Sequence, residues 1–165
     1  MGDINTFALQ KAEAAGARLW ALGSAPFPLV GGAILQGAIE QEVTDTAIAF
    51  AIHLRRVLDN KADGAKFQLD EPFRLWTPAK GLTKVADLRD ALNRIVHATE
   101  FQVGFERLPE SAATIVGGVI GVIYLRAKTD RKDEALIDVF ALAACFFHKV
   151  LPTVSNPSSE SNVSM

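Results

Sequence analysis

Residues 44–60 of the chain read TDTAIAFAIHLRRVLDN. The apolar residues in this stretch recur at intervals of three and four, as one buried face of a helix requires; they are Ala47, Phe50, Ala51, Leu54, Val57 and Leu58. The side-chain oxygens of Thr44, Asp45 and Thr46 can cap a first helical turn. The stretch therefore predicts a helix that begins near Thr44, ends near residues 60–64 and buries one face in the core.

Three further segments have helical patterns. Residues 83–99 form the clearest of them, with Thr83 as the expected N-cap and an apolar side made of Val85, Leu88, Leu92, Ile95 and Val96. A weaker periodicity predicts a first helix over Thr6–Leu22. A strongly apolar segment predicts a last helix that opens at Asp130 or Asp133 and occupies the centre of the molecule.

A short β region interrupts these helices. Phe101, Val103 and Phe105 alternate with polar or small residues, which is typical of a half-buried strand. Gly117 and Gly118 can supply the positive φ values of a tight hairpin turn. We therefore expect a mainly α fold, a helical bundle with a small antiparallel β-hairpin or meander insertion of two or three strands.

Composition bounds the domain organisation and the partners. The chain has 165 residues, and 49% of them are hydrophobic, which predicts one globular domain over residues 1–151. The polar, serine-rich tail 152–165 is expected to be disordered. A formal net charge of -2 excludes a global positive field that would attract nucleic acid, so any such contact must be local.

Cellular location follows from what the sequence lacks. The beginning of the chain has no basic and apolar signal segment, and Cys145, the single cysteine, cannot form an intrachain disulfide. The two uncharged stretches, Leu19–Ile39 and Ser111–Leu125, are interrupted by prolines or too short to span a bilayer. We expect a cytoplasmic protein without a membrane segment.

Common catalytic and cofactor motifs are absent from the sequence. His53, His97 and His148 lie far apart in the sequence. The two glycine-rich segments are GGAILQG (31–37) and GGVIG (117–121), and neither is followed by the lysine and hydroxyl residue of a P-loop. The sequence predicts no metal site and no cofactor.

The polar face of the third helix is the most informative surface, in LRDALNRIVHATE (88–100). At 100° per residue, six side chains turn away from the core: Arg89, Asp90, Asn93, Arg94, His97 and Glu100. Asn93 and His97 are i, i+4 neighbours and Arg94 lies beside them, so an amide, a guanidinium and an imidazole can converge on one phosphate. The same composition is typical of a solvated helix face, with Asp90 and Arg94 as an ordinary ion pair.

The segments LRDALNRIVHA (88–98) and AIAFAIHLRRVLDN (47–60) resemble the HEPN family, helical-bundle proteins of bacterial defence and toxin systems. The resemblance implies that two chains pair around an Arg–His motif, often written RNxxxH, which cleaves RNA without a metal. Asn93 and His97 match the N and H of that motif. Leu92 occupies the place of its arginine, and the nearest arginines are Arg89 and Arg94.

This resemblance implies a homodimer that binds RNA or a nucleotide and that acts as a metal-independent ribonuclease if the motif is active. The implied roles are acid and base for His97, phosphate clamp for Arg89 or Arg94, and an orienting group for Asn93. Asp90 and Glu100 are the further candidate ligand-binding residues.

Two other interpretations remain open. The chain could be a non-catalytic module that docks on itself or on a partner through the third-helix face or an edge strand. It could also be a small-molecule enzyme with a pocket under Trp20, Trp76 and the Pro26–Gly32 segment.

Overall fold

The computed structural model describes residues 3–69, 73–109 and 116–155. The elements, in chain order, are α1 (Ile4–Ser24), β1 (Phe27–Pro28), a 3-10 turn (Leu29–Gly31), α2 (Gly32–Lys61), α3 (Leu88–Val96), β2 (Glu100–Arg107), β3 (Val119–Lys128), β4 (Ala135–Asp138), α4 (Val139–Cys145), a π-helical turn (Phe146–Val150) and α5 (Leu151–Ser155). The prediction of a mainly α chain with a small antiparallel sheet is confirmed. The finer prediction of a helical bundle stays a prediction.

The sheet is built around β3. This strand pairs antiparallel with β2 along its length, with β1 at its start and with β4 at its end. Gly117 and Gly118 precede it with φ values of 80° and 82°, the positive values that were expected of them. β2 ends at Arg107 and β3 begins at Val119, so the two glycines do not by themselves join these strands as a tight hairpin turn. The sheet has four strands where two or three were expected, because the short β1 and β4 carry little pattern of their own.

The core lies between the helices and one face of the sheet. Phe50, Leu92 and Phe146 are fully buried there, and the sheet contributes Leu125 and Ile137. A smaller cluster of Trp76, Ile123 and Leu136 forms separately, with Tyr124 packed against it. Successive residues of a strand point to opposite faces, so Leu136 and Ile137 enter different clusters. None of the described helices has both the length and the apolar character that a membrane crossing requires.

Helix α2 begins at Gly32, three turns before the predicted start at Thr44. The hydroxyl of Thr44 donates to the carbonyl of Glu40 (2.8 Å), and the carboxylate of Asp45 accepts from the amide of Gln41 (2.8 Å). These side chains bond to the preceding turn of the same helix. The predicted start is wrong because the side chains of cap-forming residues can also find hydrogen-bond partners inside a helix.

Helix α3 is shorter than predicted at both ends. Its N-cap is Asp87, and Thr83 lies in an extended segment that bonds to β4 through the N–H of Leu136 (2.9 Å). The helix ends at Val96, so Glu100 is the first residue of β2 and does not lie on the helix.

The last helix also begins later than predicted. Asp138 caps α4, where its Oδ1 accepts from the N–H of Ala141 (2.8 Å), and the residues just before it form β4. All four residues of β4 are buried, so their pattern cannot be told from that of a buried helix. Helix α5 continues to Ser155 with Val154 buried, so the first residues of the predicted tail 152–165 are helical, and the disorder of the tail stays a prediction. Residues 156–165 lie outside the described residues.

Candidate functional site

The C-terminal end of α3 carries polar side chains from the face that the sequence singled out. The helix is capped at its start by Asp87, whose Oδ2 accepts from the N–H of Asp90 (2.9 Å). At its end His97 is the C-cap, and the N–H of His97 bonds to the carbonyl of Asn93 (3.0 Å). The side chains of Asn93 and His97 are therefore one turn apart, and both residues are exposed.

The turn between β3 and β4 lies beside this helix end. Thr129, which is buried, organises the turn: its Oγ1 accepts hydrogen bonds from the N–H groups of Arg131 (3.3 Å) and Lys132 (2.9 Å). Its own N–H donates to the carbonyl of Lys132 (3.2 Å). This closed set of bonds fixes the backbone from which the exposed residues Asp130, Arg131 and Lys132 project.

The helix end and the turn form the two sides of an open pocket of about 320 Å³. The residues that line it are Asn93, Arg94, His97, Thr129, Asp130, Arg131 and Lys132. Three of these side chains are cationic and one is a carboxylate, so the lining has an excess of positive charge. The pocket is within the size range of small-ligand sites.

Asp90 lies behind the pocket and links its two sides. Its Oδ1 accepts from the Nζ of Lys132 (2.5 Å), and its Oδ2 accepts from the Nε of Arg94 (3.2 Å). Arg94 also donates from one terminal nitrogen to the carbonyl of Asp133 (2.8 Å). Partial burial acts to raise the pKa of Asp90, but the hydrogen bonds from Lys132 and Arg94 outweigh it, and the pKa is lowered. The carboxylate is therefore ionised near neutral pH and holds both cations in place.

Three side chains of the pocket keep their donors free. Within the described part of the chain, the amide of Asn93, the imidazole of His97 and the guanidinium of Arg131 have no hydrogen-bond or ion-pair partner. An amide offers two N–H donors, a guanidinium five and a neutral imidazole one. These groups are available to a ligand without the loss of an existing contact.

Arg89 lies away from this pocket. One terminal nitrogen donates to the Oδ1 of Asp59 (2.8 Å), and the other donates to the carbonyls of Leu58 (3.1 Å) and Ala62 (3.2 Å). These acceptors lie at the C-terminal end of α2, where unpaired carbonyls favour a cation. Arg89 therefore ties α3 to α2, and the structure does not bring it to His97.

Glu100 is also separate from the pocket. It opens β2 and lies 3.7 Å from the Nζ of Lys128 across the strand pair. Of the six predicted residues, the structure therefore brings together Asn93, Arg94 and His97 at the pocket and places Asp90 directly behind it.

Sequence reasoning missed the four residues of the turn, Thr129 to Lys132. A signal was present, since TDRK is a polar, charged segment between two apolar ones and such segments favour turns. The segment was instead interpreted as the start of the last helix. Its position beside α3 depends on the pairing of β2 with β3, which the pattern of the turn itself does not encode.

Trp20 and Trp76, under which a pocket was expected, border separate cavities in the described part of the chain. Trp20 packs on Phe140 (ring centroids 4.5 Å apart) and borders a shallow apolar surface with Phe147. Trp76 is buried on Tyr124, and the cavity that it lines measures about 10 Å³, room for about one water. The small-molecule enzyme interpretation stays a prediction.

Within the ranges 3–69, 73–109 and 116–155, no group of three His, Cys, Asp or Glu side chains could hold a metal ion. No family model, no curated protein and no solved structure matches the chain in comparisons of its sequence and fold.

Proposed function

We propose that the pocket between the end of α3 and the turn at residues 129–132 binds a phosphate group of RNA or of a nucleotide. One observation carries the proposal: two elements distant in sequence converge with cationic side chains and free donors on a single opening. Arg94 and Lys132 are held in position by Asp90, whereas Arg131 is unpaired in the described residues. Preorganised cations and N–H donors of this kind form strong hydrogen bonds to phosphate oxygens.

The local nature of the site agrees with the composition. A net charge of -2 gives no long-range attraction for a polyanion, so binding must come from the few cations at the pocket. We infer a ligand that places one phosphate there, such as a nucleotide or one position of a single strand, and not a duplex held along its backbone.

In the ribonuclease form of the proposal, His97 is the acid and base of the cleavage reaction. Arg94 stabilises the negative charge of the phosphate in the transition state. The resemblance of residues 88–98 to the HEPN motif supports these roles, with Arg94 in place of the missing arginine at Leu92. The imidazole of His97 is exposed beside cationic side chains, so it can reach a proton of a bound ligand. Arg89 has no part in this form, because its guanidinium is engaged at the end of α2.

The test is binding and cleavage of a fluorescent single-stranded RNA in excess EDTA. Arg94→Met should weaken binding by about tenfold or more, since charged hydrogen bonds contribute about 1.5–3 kcal/mol each. His97→Ala should abolish cleavage and leave binding within about threefold. The control is Arg107→Met, which removes an exposed arginine seven residues along β2 from Glu100, roughly 23 Å away at the strand rise.

Two results would contradict the proposal. If Arg94→Met binds as well as Arg107→Met, the pocket does not hold the phosphate. If the wild type binds but cuts no faster than His97→Ala, the binding proposal stands and the ribonuclease form fails.

A second candidate function is self-association, which an exposed apolar cluster favours. Val30 in the 3-10 turn is 76% exposed, Ile34 at the start of α2 is 90% exposed, and Val116, three residues before β3, is 86% exposed. The residues just before β3 lie against the 3-10 turn, since the N–H of Leu29 donates to the carbonyl of Gly118 (3.0 Å). Exposed apolar clusters often mark protein interfaces.

Light scattering after size exclusion tests this candidate. Ile34→Glu should convert a dimer of the wild type into a monomer, because a buried unpaired carboxylate opposes association. Leu75→Glu is the matched control, since Leu75 is also 90% exposed but lies in the loop before α3. A wild type that is already monomeric, or equal behaviour of the two variants, would exclude this surface as the dimer interface.

A further inference from the structure

The charge balance around the pocket bears on which kind of phosphate it accepts. Three cations, Arg94, Arg131 and Lys132, face the carboxylate of Asp130 at the opening and that of Asp90 behind it. These five charged groups together carry a single positive charge in excess. Coulomb attraction to such a site scales with the charge of the ligand, so a dianion gains about twice what a monoanion gains.

Asp90 limits this difference because its carboxylate lowers the positive charge of the site. Its two oxygens engage Lys132 and Arg94, the cations that an incoming phosphate would also use. A terminal phosphate carries close to two charges at pH 7 and a phosphodiester carries one, so the carboxylate opposes the terminal phosphate more strongly. The positive charge that remains with Asp90 in place still favours the terminal phosphate.

The free donors point in the same direction. Asn93, His97 and Arg131 each present unpaired donors at the pocket, three groups from two different elements. A terminal phosphate offers three acceptor oxygens, whereas an internal phosphodiester offers only its two non-bridging oxygens. Only the terminal phosphate therefore has one acceptor oxygen for each of the three donor groups.

Resting on the proposed phosphate-binding function, we infer that the pocket selects a terminal phosphate monoester over an internal phosphodiester, and that the charge of Asp90 sets the size of this selectivity. The ligand class is a nucleoside monophosphate or the phosphorylated end of a single strand. Asp90 acts through Arg94 and Lys132 and is therefore a positioning and selectivity residue that does not touch the ligand.

The experiment compares AMP with its phosphate methyl ester, two probes that differ by one methyl group, one charge and one free oxygen. Dissociation constants are measured by calorimetry for the wild type, for Asp90→Asn and for Asp59→Asn. Asp59 is the matched control because its carboxylate also pairs with an arginine, Arg89, but lies away from the pocket.

The wild type should bind AMP about tenfold tighter than the methyl ester. In Asp90→Asn the site gains one positive charge, so AMP should gain more affinity than the ester and the ratio should rise to about thirtyfold or more, while Asp59→Asn keeps the wild-type ratio. If the wild type binds AMP and the methyl ester with equal affinity, that result alone overturns the inference. An unchanged ratio in folded Asp90→Asn would overturn the role of Asp90.

These results are distinguishable from failure of the proposed function. If the wild type binds AMP and the methyl ester equally well and Arg94→Met binds neither, the pocket binds phosphate but does not select between the two probes. Binding of neither probe would overturn the pocket and the selectivity together.

Discussion

The two arginines of α3 that the sequence offered as alternatives have different environments. Arg94 contacts Asp90 and the carbonyl of Asp133 beside the pocket, whereas Arg89 donates to Asp59 and to two carbonyls at the end of α2. The helical wheel placed both on one polar side. It could not separate them, because the acceptors of Arg89 lie on another helix.

Replacement of Arg89 should therefore affect stability and not binding. We expect Arg89→Met to lower the free energy of unfolding by about 1–3 kcal/mol, since part-buried carbonyls lose a charged donor. Urea denaturation measures this change, and an AMP titration of the folded variant should match the wild type. A variant of wild-type stability that fails to bind AMP would show that Arg89 belongs to the site after all.

His53 carries the pH dependence that the structure predicts most directly. Burial, followed by repulsion from Arg56 and Lys11, lowers the pKa of His53 from its ordinary value of 6.5. Its Nδ1 is buried without a hydrogen-bond partner, and the ring lies edge-on to Phe7. The unfolded chain therefore binds a proton more readily than the folded one, so stability is present above pH 6.5 and is lost as the pH falls below it.

The His53→Gln variant isolates this effect. Between pH 7 and pH 5 the melting temperature of the wild type should fall more steeply than that of His53→Gln, because the other titrating groups are common to both. Parallel pH profiles of the two proteins would contradict the assigned burial of the imidazole.

At the scale of elements, periodic faces were predictable and boundaries were not. The buried side of α2, from Ala47 to Leu58, and the alternation of β2 were read correctly from the sequence. The starts of α2, α3 and α4 were all misplaced. Thr44, Thr83 and Asp133 have side chains that can cap a helix, but none of them stands directly before the first turn of one. Which candidate becomes a cap depends on tertiary contacts, such as the pairing of β4 with β3.

The capping assignment at α4 leads to a matched prediction. Asp138 accepts from the N–H of Ala141 and from the indole Nε1–H of buried Trp76 (2.5 Å). Asp138→Ala should therefore destabilise the fold by about 2–3 kcal/mol, through loss of a cap and an unsatisfied indole. Asp133→Ala, at the predicted but exposed cap, should change stability by less than about 0.5 kcal/mol in the same denaturation experiment. Equal losses in the two variants would contradict this account of α4.

At the scale of the whole molecule, the sheet is what completes the pocket. The pairing of β2 with β3 brings Glu100 opposite Lys128, and this register sets the 129–132 turn beside the end of α3. The helix half of the site could be predicted from residue spacing along one element. The turn half could not, because it is joined to the helix by strand register and by the Asp90–Lys132 contact, between residues 42 apart in sequence.

The most direct test of the phosphate pocket is a map of amide chemical shifts during titration with AMP. The largest changes should fall on residues 93–97 and 129–132 together, and Arg94→Met should remove both sets. Shifts confined to the separate opening between α1 and α2, which Lys11, Arg18 and His53 line, would contradict the central claim that the 129–132 pocket binds phosphate. The absence of saturable shifts with millimolar AMP would contradict it too.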